Sequence, residues 1–216
     1  MKNYYVKIMF LFIILFLVLY GNPVKADLPM QGKVIVVDAG HGGLDPGAIY
    51  KDIYEKDITL NISRYLYEYL SSCGATVIMT RDSDSDLSNG VNNHRKKKDF
   101  DERIKIINKK YVDMYVSIHL NYLTDYRYNG PQVFFNKDNK NMAVKIQEYI
   151  NKKLGTDRSV KKIPGDTYMY SKLNSKGVLV ECGFLSNKEE RDKLITEEYQ
   201  KEFAKILGDA IINYYN

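Results

Sequence analysis

Hydrophobic and polar positions along this chain fall into blocks whose period changes. The run Val34-Ile35-Val36-Val37 is apolar and β-branched, the pattern of a buried strand, and it breaks at Asp38. Asp52-Ile53-Tyr54-Glu55 fits a capping box. It predicts a helix to about Ser72, with Ile58, Ile62, Tyr65, Leu66 and Tyr69 on one face and Gly74 at its end. Residues 75–80 read as a second strand with Arg81 at its exit, and 82–98 as an exposed polar loop. Asp99-Phe100-Asp101-Glu102 is a second capping box, predicting a helix to about Lys110. Residues 113–120 alternate as a strand that places His119 at its end, and 132–136 form another strand. An amphipathic helix follows over 139–154, a short strand over 168–173 and a strand over 178–182. From Asn187 onward the pattern is helical. Strands alternating with helices define an α/β fold: a twisted, mostly parallel (mixed) sheet of about six strands with helices on both faces.

The first 26 residues differ from the rest. Lys2 and Lys7 precede the apolar stretch Ile8–Tyr20, and Val24-Lys25-Ala26 closes the segment in a small-x-small pattern. This is the anatomy of a secretory signal, and cleavage after Ala26 is the first reading. An uncleaved N-terminal anchor is the second, and only that segment would touch a membrane. Either way the body, 27–216, is exported, and its length suits one domain with one sizeable core. Removing the three lysines of the leader lowers the net charge from +5 to +2, which argues against nucleic acid as a partner. The basic run Arg95-Lys96-Lys97-Lys98 reads as a solvated surface, with an anionic polymer as the minor alternative. Cys73 and Cys182 read as two buried thiols, although an exported pair could oxidise.

Chemistry gathers where apolar strands end. His41 follows the first strand within Gly40, Gly42, Gly43 and Gly47, His119 ends a later strand, and Glu181 sits in the last. In a parallel sheet these exits share one edge, the usual place for ligands. A glycine-rich loop can fold Glu55 back beside His41. Two histidines and one carboxylate, His41, His119 and Glu55, form a zinc set with a fourth position open. A second carboxylate, Glu181, can then move the proton of a water. Taken singly, each residue has a plainer role. A strand-end histidine is commonly structural, Glu55 completes a capping box, and Glu181 could pair with a buried Arg81 or Arg103. Two of only three histidines at strand exits, one among glycines, favour the metal. The spacing is not a compact motif such as HExxH.

The blocks Asp38-Ala39-Gly40-His41-Gly42-Gly43-x-Asp45-x-Gly47, Glu55, Ser117-Ile118-His119-x-Asn121 and Val180-Glu181-Cys182-Gly183-Phe184-Leu185-Ser186-Asn187 occur in that order. Together they resemble the zinc-dependent N-acetylmuramoyl-L-alanine amidases of the bacterial cell wall. The resemblance runs from about Lys33 to the C-terminus. It implies a zinc-exopeptidase-like sheet, Zn2+ held by His41, Glu55 and His119, and Glu181 as catalytic acid/base. It implies hydrolysis of the amide between N-acetylmuramic acid and L-alanine in peptidoglycan, and a place in the cell wall or spore envelope. The chain has no wall-binding repeat, and the loop from His119 to Gly130 is short, so it resembles the spore-cortex branch. That branch, with a deacetylase, leads to muramic-δ-lactam. A bare catalytic domain also suggests a protein activator or localising partner. Two alternatives stay open: a zinc carboxypeptidase with Arg158 clamping a terminal carboxylate, and a silent wall-binding module.

Overall fold

A computed structural model describes residues 2–20, 28–88, 90 and 93–216. Helix α1 (Lys2–Tyr20) comes first, with its side chains at 3–12 exposed. Among the described residues, no helix is long and apolar enough to cross a membrane. The expected cleavage motif, Val24-Lys25-Ala26, lies outside the described residues. The body continues with β1 (Val34–Ala39), the hairpin β2 (Ile49–Tyr50) and β3 (Ile53–Tyr54), then α2 (Glu55–Ser72) and β4 (Thr76–Met79). Next come α3 (Arg95–Ile107), β5 (Met114–Asn121), β6 (Gln132–Phe135), α4 (Lys140–Leu154) and β7 (Lys161–Lys162). The chain closes with α5 (Tyr168–Ser171), β8 (Gly177–Phe184), α6 (Lys188–Leu194) and α7 (Glu197–Tyr215).

Six strands make one sheet in the order β4-β1-β5-β8-β6-β7. The first four run parallel, β6 runs antiparallel to β8, and β7 is parallel to β6. Side chains alternate across the pleat, so each strand feeds two cores. On one face Val37, Ile118, Val180 and Val133 pack against Ile62 and Leu66 of α2, Ile146 of α4 and Phe203 of α7. On the other, Val36, Tyr115 and Leu179 pack against Ile107 of α3 and Met169 of α5. This is the mixed sheet with helices on both faces that the pattern predicts.

Three local expectations are corrected. The first capping box does not form: Asp52 lies in the turn between β2 and β3, and α2 begins at Glu55 with no side-chain cap. Loop carbonyls do that work instead, Ala48 O accepting from Glu55 N and Pro46 O from Lys56 N. The second box also fails, because α3 starts at Arg95 and Asp99 lies inside it. Asp99 accepts from Leu87 N and Arg103 Nε, so a long-range partner outbids the local cap. The strand expected over 168–173 is the single helical turn α5. Met169 and Tyr170 are both buried, which adjacent residues of a one-faced strand cannot achieve. Cys73 and Cys182 are free thiols, Cys182 buried as expected and Cys73 only half-buried at the end of α2.

Candidate metal centre

Register puts the candidate residues His119 and Glu181, and the start of the His41 loop, in one row at the carboxyl ends of the strands. His119 of β5 pairs with Glu181 of β8, and Gly40 N, just past β1, donates to Ile118 O at 2.9 Å. His41 then turns the chain with φ at 62°, a left-handed conformation rare for a residue with a Cβ. Gly40 lies so close to the second histidine that a Cβ there would meet His119 Cε1 at 2.5 Å. Gly47 has φ +67°, and a Cβ on it would meet Glu55 Oε2 at 2.6 Å and His41 Cδ2 at 2.7 Å. These two glycines let the loop close over the site, bringing the start of α2 against both rings.

The result is a convergence of residues far apart in sequence. One nitrogen of each histidine and one oxygen of Glu55 lie within 4.8 Å of one another. Glu55 Oε1 is 3.1 Å from His41 Nε2 and 3.1 Å from His119 Nδ1. Glu55 is buried, accepts Leu120 N at 2.9 Å and Ala48 N at 2.8 Å, and begins a helix whose dipole favours an anion. Burial opposes its charge, but the bonds to both histidines outweigh it and hold the carboxyl well below the carboxylate range. His41 Nδ1 faces Asp45 Oδ2 at 3.2 Å. Burial works against charging His41, yet the hydrogen bonds to Asp45 and Glu55 raise its pKa to about 9.

Glu181 lies beside this group. Burial pushes its carboxyl up to about 7, with His119 pulling down and Glu55 pushing up. Its Oε2 is buried with no hydrogen-bond partner. The pairing with an arginine, open from sequence, is excluded for both candidates. Arg81 donates to Ala39 O, Gly40 O, Lys56 O and Ser83 O. Arg103 donates to Asp38 Oδ1, Asp99 Oδ2, Ala39 O and His41 O. Arg158 gives Nη2 to Gln132 Oε1 at 2.7 Å and packs over the rings of Tyr128 and Phe184, while its Nε is buried without a hydrogen-bond partner among the described residues.

The donor set fits zinc: two imidazole nitrogens, one carboxylate oxygen and a partnered far nitrogen on the His41 ring. The unpartnered Glu181 oxygen adds an acceptor without a donor, as a water-activating group requires. Sequence reasoning quoted Asp38, Asp45 and Ser117 only within the blocks of the family resemblance, giving them no role, and missed Tyr170. Asp38 carried a signal, an acid at the end of an apolar strand, the same signal that singled out Glu181. Ser117 shares a strand face with His119, two residues away. Tyr170 carried none.

A mixed-sheet α/β hydrolase with one carboxylate kept free beside two histidines and a glutamate is the class that this fold and site define. The chain belongs to the N-acetylmuramoyl-L-alanine amidase family (Amidase_3), which it matches over residues 35–213. It is 38% identical over 196 residues to the germination-specific N-acetylmuramoyl-L-alanine amidase of Bacillus subtilis, covering 88% of this chain and 82% of that one. Among solved structures it resembles the CwlD amidase of Clostridioides difficile in complex with the GerS lipoprotein. The TM-score is 0.78 at 38% identity, over 84% of this chain and 98% of that one. The catalytic domain of the amidase CwlV from Bacillus (Paenibacillus) polymyxa var. colistinus follows with a TM-score of 0.72 at 28% identity, over 84% and 97% of the two chains.

Proposed function

We infer that the protein is a zinc-dependent peptidoglycan amidase. It hydrolyses the bond between the lactyl group of N-acetylmuramic acid and the L-alanine of the stem peptide. The observation that carries the zinc and the residue roles is the meeting of His41, Glu55 and His119 within 4.8 Å. Zinc at these atoms would polarise the scissile carbonyl and acidify a water. Asp45 orients the His41 ring through Nδ1. Glu181 takes the proton from the attacking water and returns it to the alanine nitrogen as the C–N bond breaks. Its raised pKa suits both halves of that exchange near neutral pH.

The germination-specific relative supports a role in the spore cortex; on that reading, cleavage together with a deacetylase would yield muramic-δ-lactam. That role needs export, which the basic and apolar N-terminal segment supports. The CwlD amidase of C. difficile forms a complex with a lipoprotein, and a localising or activating protein partner is proposed for this chain as well. A digest of spore peptidoglycan by the zinc-loaded protein, read by mass spectrometry, tests the function. Free lactyl ends and peptides beginning with L-alanine are expected. Shortened stem peptides would mark a carboxypeptidase, and bound zinc with no product a silent wall-binding module. Full activity of the isolated protein on cortex would remove the need for an activator.

A further inference from the structure

Behind the ligands runs a line of hydroxyl groups whose hydrogen bonds have only one possible direction. Asp38 Oδ1 accepts from Arg103 Nη1 at 2.7 Å and Thr80 Oγ1 at 2.8 Å, and its Oδ2 accepts from Ser117 Oγ at 2.5 Å. Burial opposes the charge on Asp38, but Arg103 and the hydroxyls outweigh it, and the carboxyl stays below its usual range. A carboxylate only accepts, so the single Ser117 hydroxyl proton is committed to Asp38. Ser117 Oγ also lies 3.0 Å from Tyr170 Oη. With Ser117 already spent, Tyr170 must be the donor there. The Tyr170 proton is committed in turn, and its oxygen offers only lone pairs to the last neighbour, His119 Nε2 at 3.4 Å.

We propose that Tyr170 is a positioning residue for the metal centre. It accepts the Nε2 proton of His119 and, through Ser117 and Asp38, fixes the tautomer whose bare Nδ1 faces Glu55. The proposal rests on the metal-site reading above and deepens it. The two ligating rings are then held by different means. His41 leans directly on a carboxylate, Asp45. His119 reaches its carboxylate, Asp38, through two hydroxyls, and that carboxylate is neutralised by Arg103. An anion two hydroxyls away orients the ring without adding a charge at the metal. The same logic denies Tyr170 a second role. Tyr170 lines a cavity of about 80 Å³ together with His41, His119, Phe100 and Met169. Yet it has no proton left to give a substrate carbonyl.

The test uses the full chain in three forms: wild type, Tyr170→Phe and Ser117→Ala. Zinc affinity is measured by chelator competition, and the His119 tautomer by 15N NMR of histidine-labelled protein. In the zinc-loaded wild type, His119 should carry its proton on Nε2. Tyr170→Phe should weaken zinc binding roughly 10–100-fold and shift the His119 resonances, while the metal-free protein melts near the wild-type temperature. Ser117→Ala should weaken zinc binding less, because Tyr170 keeps its lone pairs but loses the bond that orients them. Wild-type affinity and an unchanged tautomer in Tyr170→Phe would overturn the proposal and leave the zinc site standing. Should Tyr170→Phe fail to fold, the wild-type spectrum decides alone: a proton on His119 Nδ1 overturns the relay. A wild type that takes up no zinc overturns the metal site and the relay together.

Discussion

Glu181 puts an ionisable group where a strand is otherwise apolar, between buried Val180 and Cys182. An unpaired buried carboxylate is costly, and a purely structural role would have supplied a partner. Replacing it with an isosteric amide tests this. Glu181→Gln should retain a full complement of zinc by elemental analysis and lose about 10²–10⁴-fold in kcat; a near-normal rate would require another base. The site also predicts how the metal-free protein responds to pH. His41 titrates near 9 when folded against 6.5 as a free group, so its contribution to stability is complete below about 6.5 and fades as pH rises through 9. Glu181 is raised from 4.5 to about 7, and its contribution fades in the same sense between those values. In EDTA the melting temperature should therefore fall as pH rises from 5 to 9, as differential scanning fluorimetry would show. A rising curve would mean that these two groups do not govern it. At this scale His41, His119 and Glu181 were legible because each follows or interrupts an apolar run. Glu55 was legible only in part, since a helix cap explained it equally well.

Secondary-structure elements were readable where period and burial agree, as in β1, β5, β8, α4 and α7. They were misread where a side chain had a better distant partner than its local one. Both capping boxes failed for that reason. Glu55 turns to two histidines and Asp99 to the Leu87 amide outside its helix, leaving backbone carbonyls and neighbouring residues to start the helices. Arg103 shows what such a long-range bond holds together. It is 2% exposed, lies on α3, and ties Asp38 of β1, Asp99 of its own helix and the carbonyl of His41. Removing one partner of a buried ion pair costs about 3–5 kcal/mol because the other charge stays buried. Arg103→Met should lose that much in urea unfolding, and Arg103→Met with Asp38→Asn should recover part of it. A loss below about 1 kcal/mol would show that α3 docks on its apolar face alone.

For the molecule as a whole, the question is what the metal holds up. Both cores are built of apolar side chains, and none of His41, Glu55, His119 or Glu181 belongs to either cluster, although Ile118, Leu120, Val180 and Cys182 beside them do. The sheet is continuous through β4, β1, β5 and β8 by main-chain pairing, in which His119 and Glu181 take part through their backbones. A metal held there would therefore close a loop and a helix start onto an existing edge and would not nucleate the fold, unlike the metal of a zinc finger. Chelation should abolish amidase activity while leaving the far-ultraviolet circular dichroism near that of the loaded protein. The loss of stability should follow mass action, about 2.7 kcal/mol at free zinc one hundred times its dissociation constant. For a chain of this size that is a fall of roughly 5–11 °C in melting temperature, reversed when zinc is restored. A chelated protein that loses its secondary structure would show instead that the row of ligands carries the sheet, and that the two cores cannot stand without it.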